Sequence, residues 1–398
     1  MDIPELDLKA PSFWQAPAPV LAELRERSPV AVTNDGTKVV LRHADVGELL
    51  LSGQFENEGA SLLARRGFKP GDALYDYRAQ ALGALNGPDH LRIRALVGKA
   101  LGAHFVQEIR QIVQRRLVAI LGPLLGEDID AVGAVANRVP LEVIGEYLGI
   151  AESDRQMVDH LVREGQARAF GREVSPATVD RANTIFSQLL AFVGDQVRHR
   201  RMRPRNDLLT RLLEASDETR KLSQDEVIVL FLNLFIGAVE STASAISAGL
   251  LLLARHPALH QTLHATSSIA AFIEENLRLY PPNTLIANKV AKQDLEFCGL
   301  RFAAGEPVIV PIPSPNRDPR AFEHPDEVDL RRPPTRHFTF SLGQHFCLGQ
   351  ALARTQLQGF FEVIAQHVRH VQLLEERIEW EPYSAITRMR SLRLRLHA

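Results

Sequence analysis

The stretch 224–255 constrains this chain more than any other. From Val227 to Val239 its only polar side chain is Asn233, and helical spacing of apolar residues continues to Arg255. Ser223 with Glu226 three residues later predicts a capping box, and His256-Pro257 predicts the end. At about 1.5 Å per residue, such a helix spans about 48 Å. A helix apolar on all sides has to cross a core. Its apolar run falls short of the roughly 20 residues a bilayer requires, so a buried helix is expected rather than a membrane span. Glu240, Ser241 and Thr242 interrupt its middle. A carboxylate in such surroundings needs a partner or a purpose.

Most of the remaining chain also carries helical periodicity, near 19–27, 91–122, 138–149, 155–169, 179–200, 269–279 and 348–369. Strand signals are short. They comprise a hairpin in 30–42 around Asn34-Asp35-Gly36, a group at 295–312 and a last one at 371–396. No fixed-period repeat or long linker divides the sequence, which predicts one mainly α domain over 1–398 with small β-sheets. Lys+Arg 46 against Asp+Glu 48 leaves a net charge of −2, so no global field attracts nucleic acid or an anionic membrane. The basic run Arg198, Arg200, Arg201, Arg203 and Arg205 lacks interleaved aromatics and reads as a solvated loop. The first residues lack the basic and apolar regions of a signal peptide. With 2 cysteines, a disulfide scaffold is excluded and a reducing, cytoplasmic setting is expected.

One cysteine has a chemical context. Phe340-Ser341-Leu342-Gly343-Gln344-His345-Phe346-Cys347-Leu348-Gly349 precedes a helix beginning near Gln350. A cysteine there meets the positive end of the helix dipole, which favours thiolate. Gly343 and Gly349 permit turns and leave room for a flat ligand, and His345 adds a donor. The arrangement suits axial ligation of haem iron. Zinc is disfavoured because no second Cys-x-x-Cys pair exists. Cys298, in LEFCGLRF, reads as an inert strand residue.

That decapeptide resembles the haem-binding loop of the cytochrome P450 family. Glu275-Asn276-Leu277-Arg278 resembles the family's E-x-x-R helix, and Asn316-Arg317-Asp318-Pro319 with Asp329 to Arg332 resembles its meander. His90 and Arg94 match its H-x-x-x-R pattern, and HRRMRPRNDLL resembles the loop before the helix that precedes the long one. The resemblance implies a helix-rich triangular prism with small β-sheets and haem b (iron protoporphyrin IX) held by Cys347. Phe340, Gly343, His345 and Gly349 would form the loop around the haem. His90, Arg94 and Lys289 would hold its propionates, with Lys289 standing where the family has arginine and so lacking the planar fork. Glu275, Arg278 and Arg332 would be structural. The implied reaction is monooxygenation with O2, in a monomer that receives electrons from a ferredoxin-type donor with its reductase. Arg92, Lys99 and Arg354 would meet that acidic partner.

Family members commonly read A-G-x-[DE]-T-T in the long helix, where this chain reads Gly237-Ala238-Val239-Glu240-Ser241-Thr242. Glu240 matches the acid, and Ser241 falls where a threonine assists proton delivery. Thr242 lies one residue on, roughly 100° around the helix. Serine can bond back to the carbonyl of Gly237. Carrying pocket positions across puts Asn233, Ile236, Gly237, Leu285, Ala287, Ala385 and Ile386 around an apolar small substrate, with 60–86 and 165–180 as a mobile lid. Alternatives are a peroxide-using or radical-coupling haem-thiolate enzyme, or a non-catalytic haem or ligand-binding protein.

Overall fold

The computed structural model describes residues 3–102, 105–171, 175–215, 221–263, 266–384 and 386–398. It is mainly α, with small sheets at the periphery. The central element is the helix Gln224–Arg255. Its start is fastened by a capping box, in which the Glu226 amide donates to Ser223 Oγ (3.1 Å) and the Ser223 amide to Glu226 Oε2 (2.7 Å). The helix packs against Arg138–Leu148, Pro176–Met202, Thr266–Leu279 and Gln350–His367. It is long and apolar enough to cross a membrane, yet it is sheathed by these helices and carries the buried Glu240. Gly249 permits one of these approaches. A Cβ there would collide with the Phe361 ring of the helix Gln350–His367.

A six-stranded sheet runs in the order Glu5–Leu6, Val30–Thr33, Lys38–Val40, Pro307–Pro311, Leu285–Ala291, Phe55–Asn57. The hairpin expected around Asn34-Asp35-Gly36 forms its second and third strands, with Gly36 at φ 82°. The strand Leu285–Ala291 is antiparallel to both neighbours, and its first four residues are half-buried while Lys289, Val290 and Ala291 are buried. It therefore offers one end to an accessible interior.

Three local expectations need correction. The helix expected across 91–122 divides into Gly87–Leu101 and Phe105–Leu121, because Gly102 turns at φ 72°. Cys298 lies at a hairpin turn between Leu295–Phe297 and Leu300–Phe302, not within a strand. Its φ of 52°, followed by Gly299 at 74°, gives two successive left-handed residues, as tight hairpin turns require. Finally, Arg198, Arg200 and Arg201 belong to the last turn and a half of Pro176–Met202 rather than to a loop. Arg200 is buried, with Nη2 2.9 Å from Asp207 Oδ2 and 3.0 Å from the Gly149 carbonyl.

Candidate active site

Cys347 stands just before the helix Gln350–His367, whose N-cap is Gly349. Its amide donates to the Phe340 carbonyl (2.9 Å), and the Gln350 amide approaches the Cys347 carbonyl (3.3 Å), which closes the loop on itself. Gly343 is irreplaceable on two counts. Its φ is 73°, and a Cβ would come within 2.7 Å of the Leu50 carbonyl oxygen. Ser341, which stands where a glycine is more usual in the loop it resembles, has φ 58°, a left-handed conformation that a side chain strains, so this departure is more than a minor change. Cys347 is reached by solvent, although protein surrounds it on most sides. Burial pushes its thiol pKa up, opposed by the Gly349 amide and the cations Arg94 and Arg354.

Beside the loop lies a group of basic side chains that form no ion pair among the described residues. The His90 and His345 rings are 4.3 Å apart. His345 Nε2 is 3.2 Å from Asn86 Oδ1, and Arg94 Nη2 donates to the Phe346 carbonyl (2.7 Å). Burial, then Lys289, His90 and Arg94, pushes the His345 pKa down to about 3. Burial lowers that of Lys289 to about 8, and that of His90 is lowered as well. Buried His90 Nδ1 has no hydrogen-bond partner. Among the described residues, no carboxylate forms an ion pair with His90, Arg94 or Lys289. Clustered cations depress one another in this way until an anion neutralises them. Two propionates meet that need, and the thiol beside a glycine-bounded surface meets the need of iron. These residues fit haem b.

The scaffold behind the loop is an ion-pair network. Glu275 Oε1 and Oε2 accept from Arg278 Nε and Nη2 (2.7 and 2.9 Å), and Oε1 also from Arg332 Nε (3.1 Å). The Asp329 amide donates to Glu275 Oε2 (3.0 Å), while Arg278 reaches the carbonyls of Asn316, Pro325 and Glu327. Sequence reasoning missed the adjacent Glu274. It accepts from Arg354 Nε and Nη2 (2.7 and 2.9 Å) and lies 3.1 Å from His337 Nε2. Despite burial, these partners lower its pKa to about 2. Arg354 also covers the Phe340 ring at 4.4 Å. A second carboxylate directly before Glu275 in EENLR was the available signal. Arg354 and Arg92 are thus both engaged internally, Arg92 with Glu226, which leaves exposed Lys99 of the three cations expected to face a partner.

The long helix keeps one face open. Asn233, Gly237 and Ser241, at i, i+4 and i+8, are half-buried or exposed, and nothing lies within 4 Å of a Cβ built on Gly237. Ile236 is half-buried beside them. Ser241 Oγ donates to the Gly237 carbonyl (2.6 Å), while Thr242 Oγ1 is buried without a partner. Glu240 is buried and engaged: Arg388 Nη2 is 2.5 Å from its Oε1 and Arg163 Nη1 3.9 Å. That oxygen receives no well-aligned hydrogen bond, so the contact is one of charge. Burial pushes the Tyr77 hydroxyl pKa up to about 12, opposed by the nearby Asn233 side chain. Leu285, Ala287 and Ile386 are half-buried, and Ile386 bridges to Asn283. Ala385, like 172–174 in the expected lid, lies outside the described residues. A separate cavity of about 840 Å³ opens beyond the Cys347 loop, bounded by Arg110, Glu274, Arg336 and Phe346, and takes no lining from the long helix.

Comparison with known proteins agrees with this geometry. The sequence profile of Cytochrome P450 matches residues 124–380. The mycinamicin IV hydroxylase/epoxidase of Micromonospora griseorubida is 29% identical over 368 residues, covering 90% of each chain. A putative cytochrome P450 of Mycobacterium tuberculosis is 31% identical over 320 residues, 79% of this chain and 76% of that one. Among solved structures, a cytochrome P450 from Chondromyces apiculatus superposes with a TM-score of 0.87 at 27% identity, covering 99% and 98% of the two chains. With a cysteine loop and a cation cluster fit for haem b, the chain belongs to the cytochrome P450 family, a family of haem-thiolate monooxygenases.

Proposed function

We propose that this monooxygenase inserts one oxygen atom of dioxygen into a largely apolar small molecule bound along the open face of the long helix. We propose further that it works as a cytoplasmic monomer, one haem domain over 1–398, with a ferredoxin-type protein and its reductase supplying electrons. The observation carrying the reading is the accessible stripe Asn233, Gly237, Ser241 in the middle of a helix most of whose residues are buried. Aliphatic Ile236, Leu285, Ala287 and Ile386 support an apolar occupant. Relatives named for hydroxylation of mycinamicin IV and of vitamin D3 support oxygen insertion as the outcome.

Bound haem b supplies iron at which dioxygen takes two electrons and two protons, one atom entering the substrate and the other leaving as water. In the proposed division of labour, Cys347 Sγ is the iron ligand and the following helix N-terminus stabilises its negative charge. His90, Arg94, His345 and Lys289 hold the propionates. Ser241 passes protons when its hydroxyl swings from the Gly237 carbonyl toward the cleft, and Glu240 replenishes them.

One observation favours the peroxide-using alternative. Both proton-handling groups are already engaged, Ser241 by a carbonyl and Glu240 by Arg388. A positioned proton donor contributes about 10²–10⁴-fold, so poor positioning has a measurable effect. NADH consumed per product formed with a surrogate ferredoxin, set against product formed from peroxide alone, separates the two. Coupled turnover lost in Ser241→Ala and improved in Ser241→Thr is the expected result. Efficient turnover from peroxide, indifferent to either substitution, would establish the alternative.

A further inference from the structure

The short helix Ala73–Gln80 turns Leu74, Tyr77 and Arg78 toward one side, with Ala81 a turn on, while Asp76, Ala79 and Gln80 are exposed on the other. Its inner side packs on Pro176–Met202 and on the long helix. The Leu74 amide donates to Asn183 Oδ1 (3.3 Å), the Tyr77 ring is 5.3 Å from that of Phe186, and the Tyr77 hydroxyl is near Asn233. Arg78 lies on this same side of the helix. Its Nε is sealed from solvent without an acceptor. Among the described residues, no carboxylate forms an ion pair with it.

The carboxylate whose charge acts on Arg78 is Glu58, which is already taken. Glu58 Oε2 accepts from Arg65 Nη2 (2.8 Å) and Oε1 from the Ser61 hydroxyl (2.9 Å). Burial accordingly lowers the guanidinium pKa. Arg78 is half-buried, and a cation held there without a counter-charge is costly unless something else supplies it. The neighbours of Arg78 show where that something enters. Tyr77 is near Asn233 on the open face of the long helix, and the Glu58 amide donates to the Asn288 carbonyl (2.6 Å), on the half-buried end of Leu285–Ala291. Arg78, next to Tyr77 in the chain and within the field of Glu58, lies near both of these elements.

We infer that Arg78 selects substrates bearing an anionic group, a carboxylate, at one end of an apolar body. The inference deepens the proposed function and rests on its reading of this cleft as the substrate site. A guanidinium offers a planar fork to a carboxylate, and the pair strengthens away from water. The aliphatic residues of the cleft would take the rest of the molecule, and Tyr77 and Asn233 would brace the arginine's side of it.

The test uses the ferric holoprotein with three probes of one chain length: dodecanoate, methyl dodecanoate and dodecan-1-ol. Binding is read from the haem absorption shift and, independently of haem, by calorimetry at neutral pH. Dodecanoate is expected to bind at least ~10-fold tighter than the ester or alcohol. In Arg78→Gln that ratio should fall below about threefold, with the ester's affinity changed little, and Arg78→Lys should recover part of the preference. Equal affinity for acid and ester, a preference surviving in Arg78→Gln, or no response to any probe overturns the inference. The red-shifted band of the reduced carbon monoxide complex, recorded on each sample, reports the haem-thiolate centre separately. Its loss would count against the proposed function, whereas its retention without a carboxylate preference counts against Arg78 alone.

Discussion

At the scale of single residues, two departures from the family's habits have measurable consequences. Ser341 holds φ at 58° at the start of the cysteine loop, which costs an L-residue about 1–2 kcal/mol. Ser341→Gly is expected to raise stability by about 1 kcal/mol, read as a higher urea midpoint at unchanged slope. A lower midpoint would mean that strain is not what the serine adds. Lys289 is the second. Burial lowers its pKa from 10.5 to about 8, with His90, His345, Arg94, Lys292 and Glu56 as the charged groups around it. A propionate raises that pKa again, so attraction to the haem is complete below pH 8 and fades as pH rises above it. Haem transfer to an acceptor globin is therefore expected to accelerate above pH 8 in this protein. In Lys289→Arg, whose guanidinium stays charged, release should be slower and flat across that range. Equal release rates would remove Lys289 from the haem contacts.

At the scale of elements, the helix Thr266–Leu279 is joined to the segment 316–332 by Glu275, Arg278 and Arg332. Arg278 and Glu275 are 2% and 6% exposed, so neither charge can fall back on water. Glu275→Gln is expected to cost about 3–5 kcal/mol, because two guanidiniums then share a buried neutral amide. A thermal midpoint left in place would show that the carbonyls of Asn316, Pro325 and Glu327 suffice. These elements also show which parts of the chain were legible beforehand. The long helix could be bounded from sequence because its capping box and closing proline are local signals, as was the turn at Gly36. The break at Gly102 was less legible, since apolar spacing continues across it and a glycine within a helix pattern is tolerated. The helix Ala73–Gln80 went unread because it is short and its inner side carries a tyrosine and an arginine instead of aliphatics. Glu274 was overlooked for a related reason. Its partners Arg354 and His337 are remote in sequence, and only folding brings charges from three segments together.

At the scale of the whole molecule, Glu240 ties together parts of the chain that no local pattern connects. The acid is in the central helix, Arg388 in the C-terminal segment, and Arg163 in the helix Glu152–Phe170, where it also pairs with Asp159 at 2.8 Å. Sequence spacing identified the acid but not its cations, because an ion pair across the fold leaves no periodicity to read. Glu240 is 3% exposed and Arg388 is 23% exposed at its side chain, so the two ends of the pair lose different amounts of hydration on folding. Removing the arginine strands the better-buried charge, whereas removing the carboxylate frees an arginine that can still reach water. Arg388→Met is therefore expected to destabilise the protein by roughly 3 kcal/mol, and Glu240→Gln by less. In the double variant no charge is stranded, so the combined loss should fall short of the sum of the single losses by about 1 kcal/mol or more. Urea unfolding of the four proteins closes this cycle. Strict additivity would mean that solvent screens the pair, and that Glu240 is free to exchange protons without first parting from Arg388.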